Sequence, residues 1–146
     1  MNLDNIVEPV DKTFQTSSDS EIISFEKKYN IKFPEEYKMF LEKYGRCMFT
    51  GEATIETECK STTEVFTMYG ISCDAGHIGA DLDSHPDYKE NGFIPIADDM
   101  FNNRYVIDSK DGRILFLNYL NAECTIKIAA NSFSKFLQKI IIQPDD

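Results

Sequence analysis

Apolar and polar positions along the chain change period several times, and each change marks an element. Three apolar runs, Phe93–Ala97, Arg104–Asp108 and Arg113–Tyr119, are separated by the turn-rich gaps Asp98–Asn103 and Ser109–Gly112. Asn102-Asn103 and Asp111-Gly112 tolerate positive φ, as tight reversals demand. Ile94, Ile96, Tyr105, Val106, Ile107, Ile114, Phe116 and Tyr119 are β-formers. The runs therefore predict an antiparallel meander, and no other stretch is as long and apolar.

Upstream, the period becomes helical. Ser18 and Glu21 form a capping box, and Ile22, Phe25 and Tyr29 recur at helical spacing up to Asn30. A second helix opens at Pro34, carries Glu35 and Glu36 in its first turn, and stops at Gly45. Its residues Tyr37, Phe40, Leu41 and Tyr44 fall on one face. Two strands are predicted around Thr54–Thr57 and Val65–Ile71, joined by a loop at Glu58–Glu64. Residues 73–92 read as the longest irregular segment, a length that in compact domains often carries function. Cys124, Ile126 and Ile128 alternate with polar residues, which predicts a short strand. A last helix starts at Asn131 or Ser132, with Phe133, Phe136, Leu137, Ile140 and Ile141 at helical spacing. The order predicts an α+β fold in one domain: an antiparallel sheet of about four to six strands, N-terminal helices and a C-terminal helix, all on one face. Residues 1–17 read as an N-terminal extension, interrupted by Pro9, and residues 18–143 as the domain.

Composition narrows the function classes. The 146 residues carry 25 acids and 15 Lys or Arg, a net charge of −10. Residues 46–100 hold eleven acids and three bases, and residues 101–146 five acids and six bases. Such a chain lacks the basic face that phosphates require, which argues against nucleic acid and against anionic membrane. A basic protein partner fits the charge. No basic-then-apolar leader and no apolar run of about 20 residues is visible, so a cytoplasmic location is expected. The cysteines at 47, 59, 73 and 124 include no C-x-x-C and are expected as reduced, mostly buried thiols. Cys73 and His77 are a lone ligand pair without a second, so no metal site is expected.

Catalytic patterns are missing. There is no G-x-S-x-G, P-loop, G-x-G-x-x-G or H-E-x-x-H. Asp81-x-Asp83 starts like a calcium loop, but Pro86 and Gly92 stand where Gly and Glu are needed. His77 and His85 read as surface residues, and Asp98-Asp99 as helix-cap or solvated residues of a turn. No catalytic residue and no cofactor is assigned.

Two separated stretches resemble the SUKH superfamily. Ile23–Gly45, with Phe25-Glu26, Phe33-Pro34, Tyr37, Phe40-Leu41 and Gly45, is similar to the family's "I-x-x-F-E" helix followed by "L/F-P-x-x-Y-x-x-F-L" and a glycine turn. Ile94–Asp99 resembles its "I-P-I-A-x-D" strand, followed by Tyr105–Asp108 and Asp111–Ile114. Ser132-Phe133-x-x-Phe136-Leu137 resembles its closing helix. Many members carry two or three glycines after the second helix, where this chain has Gly45-Arg46-Cys47.

The resemblance implies a non-enzymatic binding domain. Bacterial members are similar to immunity proteins for polymorphic or contact-dependent toxins, many of them nucleases or deaminases. Fungal members resemble regulators of cell-wall synthesis that act through protein contacts. An immunity protein against a basic toxin domain is the leading expectation, a scaffold or regulator the second, and a small hydrolase built on residues 73–92 and Asp98-Asp99 the third. For the first, the expected contact surface is Glu56, Glu58, Asp81, Asp83, Asp87, Asp98, Asp99 and Phe101.

Overall fold

The computed structural model describes residues 2–71, 77–120 and 124–144. The chain order is β1 (Val7–Pro9), α1 (Asp19–Tyr29), α2 (Glu35–Lys43), β2 (Cys47–Glu56), β3 (Thr62–Met68), α3 (Ile78–Ser84) and α4 (Pro86–Asn91). It continues with β4 (Phe93–Asp98), β5 (Arg104–Asp108), β6 (Ile114–Asn118), β7 (Thr125–Ala130), α5 (Phe133–Lys139) and β8 (Ile141–Pro144). The fold is α+β. Its antiparallel sheet runs β1-β2-β3-β4-β5-β6-β7, and β8 pairs with β2.

The sheet has eight strands, more than the four to six expected. The surplus comes from short edge strands. β1 is 3 residues long and β8 is 4, too short for a period of two to stand out. β8 was further disguised because Ile140 and Ile141 continue the helical spacing of Phe133 and Phe136. The helix instead ends at Lys139, and Ile141 pairs with Thr54. β2 has room for both edge partners because it is 10 residues long. Its Cys47, Met48 and Phe49 pair with β1, and its residues from Gly51 to Thr54 with β8. Gly51 makes the second pairing possible: a Cβ there would collide with the Gln143 carbonyl oxygen.

The helices begin and end as their end residues dictate. Ser18 accepts from the Glu21 amide while Glu21 accepts from the Ser18 amide, closing the capping box of α1. Asn30 terminates α1 in the left-handed conformation, φ 54°. Pro34 precedes α2, and its carbonyl accepts from Tyr37 and Lys38. Gly45, φ +67°, ends that turn, and the backbone of Gln15 passes against it, so no side chain fits.

The core is aromatic. Tyr37, Phe40, Phe133 and Phe136 are buried. Tyr37 meets Phe133 edge-on at 5.0 Å, and Phe136 lies 5.3 Å from Tyr105 of β5. Each such pair contributes about 0.5–1.5 kcal/mol beyond area burial. Buried hydroxyls find acceptors: Tyr37 donates to the Tyr69 carbonyl at 3.1 Å and Tyr105 to the Glu64 carbonyl at 2.7 Å.

Helices cover both faces of the meander, not one. Neighbouring residues of a strand point to opposite faces. Tyr105 packs on α5, while Arg104 bonds Asp81 of α3. All five residues of β5 are accordingly buried. Residues 78–91, expected as an irregular segment, form the two short helices α3 and α4. Their apolar signal is sparse: Ile78, Leu82 and Tyr88 are their buried large apolar residues.

Candidate protein-binding surface

The turn Asp98–Asn103 joins β4 to β5 and is held by its own polar side chains. Asp99 is buried, and its Oδ1 accepts from the Phe101 and Asn103 amides at 2.9 Å each. Its Oδ2 accepts from Asn103 Nδ2 at 2.8 Å. Asn102 takes the left-handed conformation, φ 67°, that closes the turn. Asn103 Oδ1 accepts from the Tyr119 amide at 2.8 Å, tying the turn to the end of β6.

Arg104 clamps this turn to α3. Its Nε donates to Asp81 Oδ2 at 2.6 Å and its Nη2 to Asp81 Oδ1 at 3.3 Å. Nη1 donates to the Asn102 carbonyl and Oδ1 at 2.8 and 2.9 Å. The guanidinium also lies over the Tyr69 ring. Burial, the largest single influence, would lower its pKa, but the Asp81 hydrogen bond together with the electrostatic influence of Tyr69, Asp81 and Tyr88 holds it above the ordinary arginine value. Asp98 anchors the other end of the turn, accepting from Tyr69 Oη at 2.9 Å and from the Thr67 amide at 3.2 Å. Burial pushes its carboxyl up from the ordinary aspartate value, opposed by Tyr69, Arg104 and Thr67.

The clamped turn displays two large apolar side chains. Met100 is 66% exposed and Phe101 68%. The Met100 amide donates to Glu64 Oε1 at 3.3 Å, which sets the turn beside β3.

The sequence-based contact residues divide into several groups. Asp81 and Asp99 are buried and turned into the fold, Asp81 toward Arg104 and Asp99 toward its own turn. Asp98 is half-buried in the same network. Asp83 and Asp87 are exposed on α3 and α4. Glu56 and Glu58 are exposed at the far end of β2, where Lys60 and Lys139 lie 3.6 and 3.8 Å from them. Phe101 is exposed at the turn. Arg104 links the α3 residues to the turn, while Glu56 and Glu58 belong to a different region.

Other residues stand differently from expectation. His77, expected at the surface, is 2% exposed. His85 is half-buried and stacks on Tyr88 at 4.4 Å. Cys47 is buried, and burial pushes its thiol up to about 12. Cys59 and Cys124 are exposed rather than buried. Cys73, and with it the Cys73–His77 pair, lies outside the described residues. Among the described residues no group of three or more His, Cys, Asp or Glu is placed to hold a metal ion. No described helix is long and apolar enough to cross a membrane.

The paired helices, the meander and the closing helix, in this order, match one family. The model of the SMI1/KNR4 (SUKH-1) family matches residues 16–139. The chain belongs to that family. Among curated proteins it is similar to the SPbeta prophage-derived uncharacterized protein YokK of Bacillus subtilis (strain 168). That relative is 25% identical over 130 residues, covering 76% of this chain and 68% of the relative. Within the SUKH-1 match, the signature positions Phe25, Phe33, Tyr37, Phe40 and Leu41 are all core residues.

Proposed function

We propose that this SUKH-1 protein is an immunity protein that binds and neutralises a toxin domain with a basic surface. The observation that carries the reading is the clamped turn at Asp98–Asn103. Its buried side chains hold Met100 and Phe101 in solvent on a fixed backbone. Anchors ordered in advance in this way lose little entropy on association, which suits a binding protein.

The charge supports a basic partner. Residues 46–100, which include α3, α4 and the first half of the turn, hold eleven acids and three bases. Complementary charge raises association rates by about 10–1,000-fold and makes them salt-sensitive. A nuclease or deaminase toxin that grips nucleic acid presents such a basic groove. The prophage origin of the Bacillus relative suits a gene carried with a toxin. The role is one of occlusion and calls for no catalysis by this chain.

Co-expression with the product of the adjacent gene, followed by pull-down at 50 mM and 500 mM salt, tests the reading. Capture at low salt that falls at high salt, with restored growth of cells expressing the toxin, is the expected result. Failure to capture or protect in both conditions would overturn it.

A further inference from the structure

The outward face of β1, β2 and β3 has a different character from the rest of the sheet. Along β2, Cys47, Phe49, Ala53 and Ile55 are buried, while Met48, Thr50, Glu52, Thr54 and Glu56 face out, half-buried or exposed. Along β3, Val65 is buried between Glu64 and Phe66, which face the same way as one another. This alternation means that packing covers one face only, whereas β5 is buried on both. Glu8 lies opposite Met48 in the β1–β2 pairing, which adds its carboxylate to the edge.

Met100 closes this face into a groove. The hydrogen bond that its backbone N–H donates to Glu64 Oε1 holds the β4–β5 turn alongside β3. The resulting groove holds about 450 Å³ and is lined by Met48, Phe66, Met100, Glu8, Glu52 and Glu64, among others. Phe66 is 39% exposed and Met100 66%. No Lys, Arg or His lines the groove. Among the described residues, none of the three glutamates has an ion-pair partner within 4.0 Å. An apolar floor is thus bounded by three unpaired negative charges.

We propose that this groove is the seat of a basic, partly apolar polypeptide segment of the partner protein. Lysine and arginine fit it doubly: their alkyl stems lie on Met48, Phe66 and Met100 while their charged heads reach Glu8, Glu52 and Glu64. A wholly apolar occupant would leave three carboxylates desolvated, and an acidic one would be repelled. That the segment belongs to a toxin domain rests on the immunity reading above. The groove itself lies largely outside the acids the sequence suggested, sharing with them only the neighbourhood of the turn.

Two measurements test the two parts separately. Amide chemical shifts of the wild-type protein are followed while the synthetic peptide Lys-Leu-Lys-Leu-Lys-Leu is added. Shifts centred on Met48, Glu52, Phe66 and Met100, abolished by Glu52→Lys with Phe66→Ser, support the groove. Shifts centred on Asp83, Asp87 and Glu90, or spread without a centre, overturn it. The product of the adjacent gene is then titrated calorimetrically. Glu8→Lys/Glu52→Lys/Met100→Ser should weaken binding about 100-fold or more, and the charge-matched Asp83→Lys/Asp87→Lys less than about 5-fold. The reverse order overturns the groove while leaving the immunity reading intact. No binding by the wild type overturns the immunity reading, and the peptide footprint still decides the groove. Native-like amide spectra of each variant establish that it is folded.

Discussion

Removing the Asp81 carboxylate is the most informative single change to this fold. Asp81 and Arg104 have side chains each 10% exposed, and their closest atoms are 2.6 Å apart. Asp81→Ala leaves a guanidinium in that site hydrogen-bonded only to the neutral partners Asn102 and Asn103, with Asp98 acting on it through space. Breaking one side of a buried pair costs about 3–5 kcal/mol, against a typical domain stability of roughly 5–15 kcal/mol. Arg104→Met strands Asp81 and also frees the turn, so its cost should be similar. The double variant Asp81→Leu/Arg104→Met leaves no orphan charge. It loses the hydrogen bonds to Asn102 and Asn103, about 1.5–3 kcal/mol each at most when charge-assisted, and the guanidinium contact with the Tyr69 ring, and gains apolar packing. Its cost should therefore fall below the sum of the singles by at least about 2 kcal/mol. Urea unfolding followed by circular dichroism at pH 7 measures all four corners of this cycle. A loss under about 1 kcal/mol for Asp81→Ala would show that water reaches the pair. Additivity within about 0.5 kcal/mol would show that the two side chains act independently, and either result refutes the clamp.

Three further outcomes follow from other sites. Burial raises the Asp98 carboxyl above 3.8, so the native state holds that proton more tightly than the unfolded chain. This contribution is fully present below the unfolded value and is lost as pH rises through the folded one. Asp98→Asn should therefore remove a fall in stability with rising pH just above 3.8; an unchanged pH–stability curve would contradict it. The Ser61 and Thr57 hydroxyls lower the Cys59 thiol to about 7. Iodoacetamide should alkylate Cys59 with a midpoint near pH 7, and Ser61→Ala should move that midpoint upward, whereas Cys47 reacts only on unfolding. Gly45→Ala meets both a positive φ and the Gln15 backbone, and should cost about 2–4 kcal/mol by urea unfolding; a loss under about 1 kcal/mol would mean that the Gln15 segment moves away freely.

Much of the architecture is legible in local chemistry. The capping box of Ser18 and Glu21, the left-handed stops at Asn30 and Gly45, and the reversal before Arg113 depend on residues within a few positions of one another. The meander declares itself by length, β-branching and turn residues, and these same positions carry the family resemblance. What escaped was of two kinds. Short elements such as β1, α3 and α4 present too few positions for a period to register. β8 registers the wrong period, because Ile140 and Ile141 fit a helix until Gln143 and Ile142 find β2.

The candidate surface divides along the same line. Sequence placed acids and Phe101 around the β4–β5 turn but suited Phe101, which the fold leaves exposed, to core and surface alike. It could not separate the acids that face solvent from those that face inward. Asp81 and Asp83 stand two residues apart on one short helix, yet one meets Arg104 from 23 positions away and the other stays exposed. Asp98 and Asp99 are adjacent, and each is turned toward different donors. Composition and periodicity by themselves determined that this chain folds as a helix-covered antiparallel sheet with an acidic middle. Only tertiary structure decided which carboxylates that sheet leaves unpaired. The reason is physical: a helix or strand declares itself through neighbours in sequence, whereas the fate of a charge is set by whatever distant group the packing brings to it.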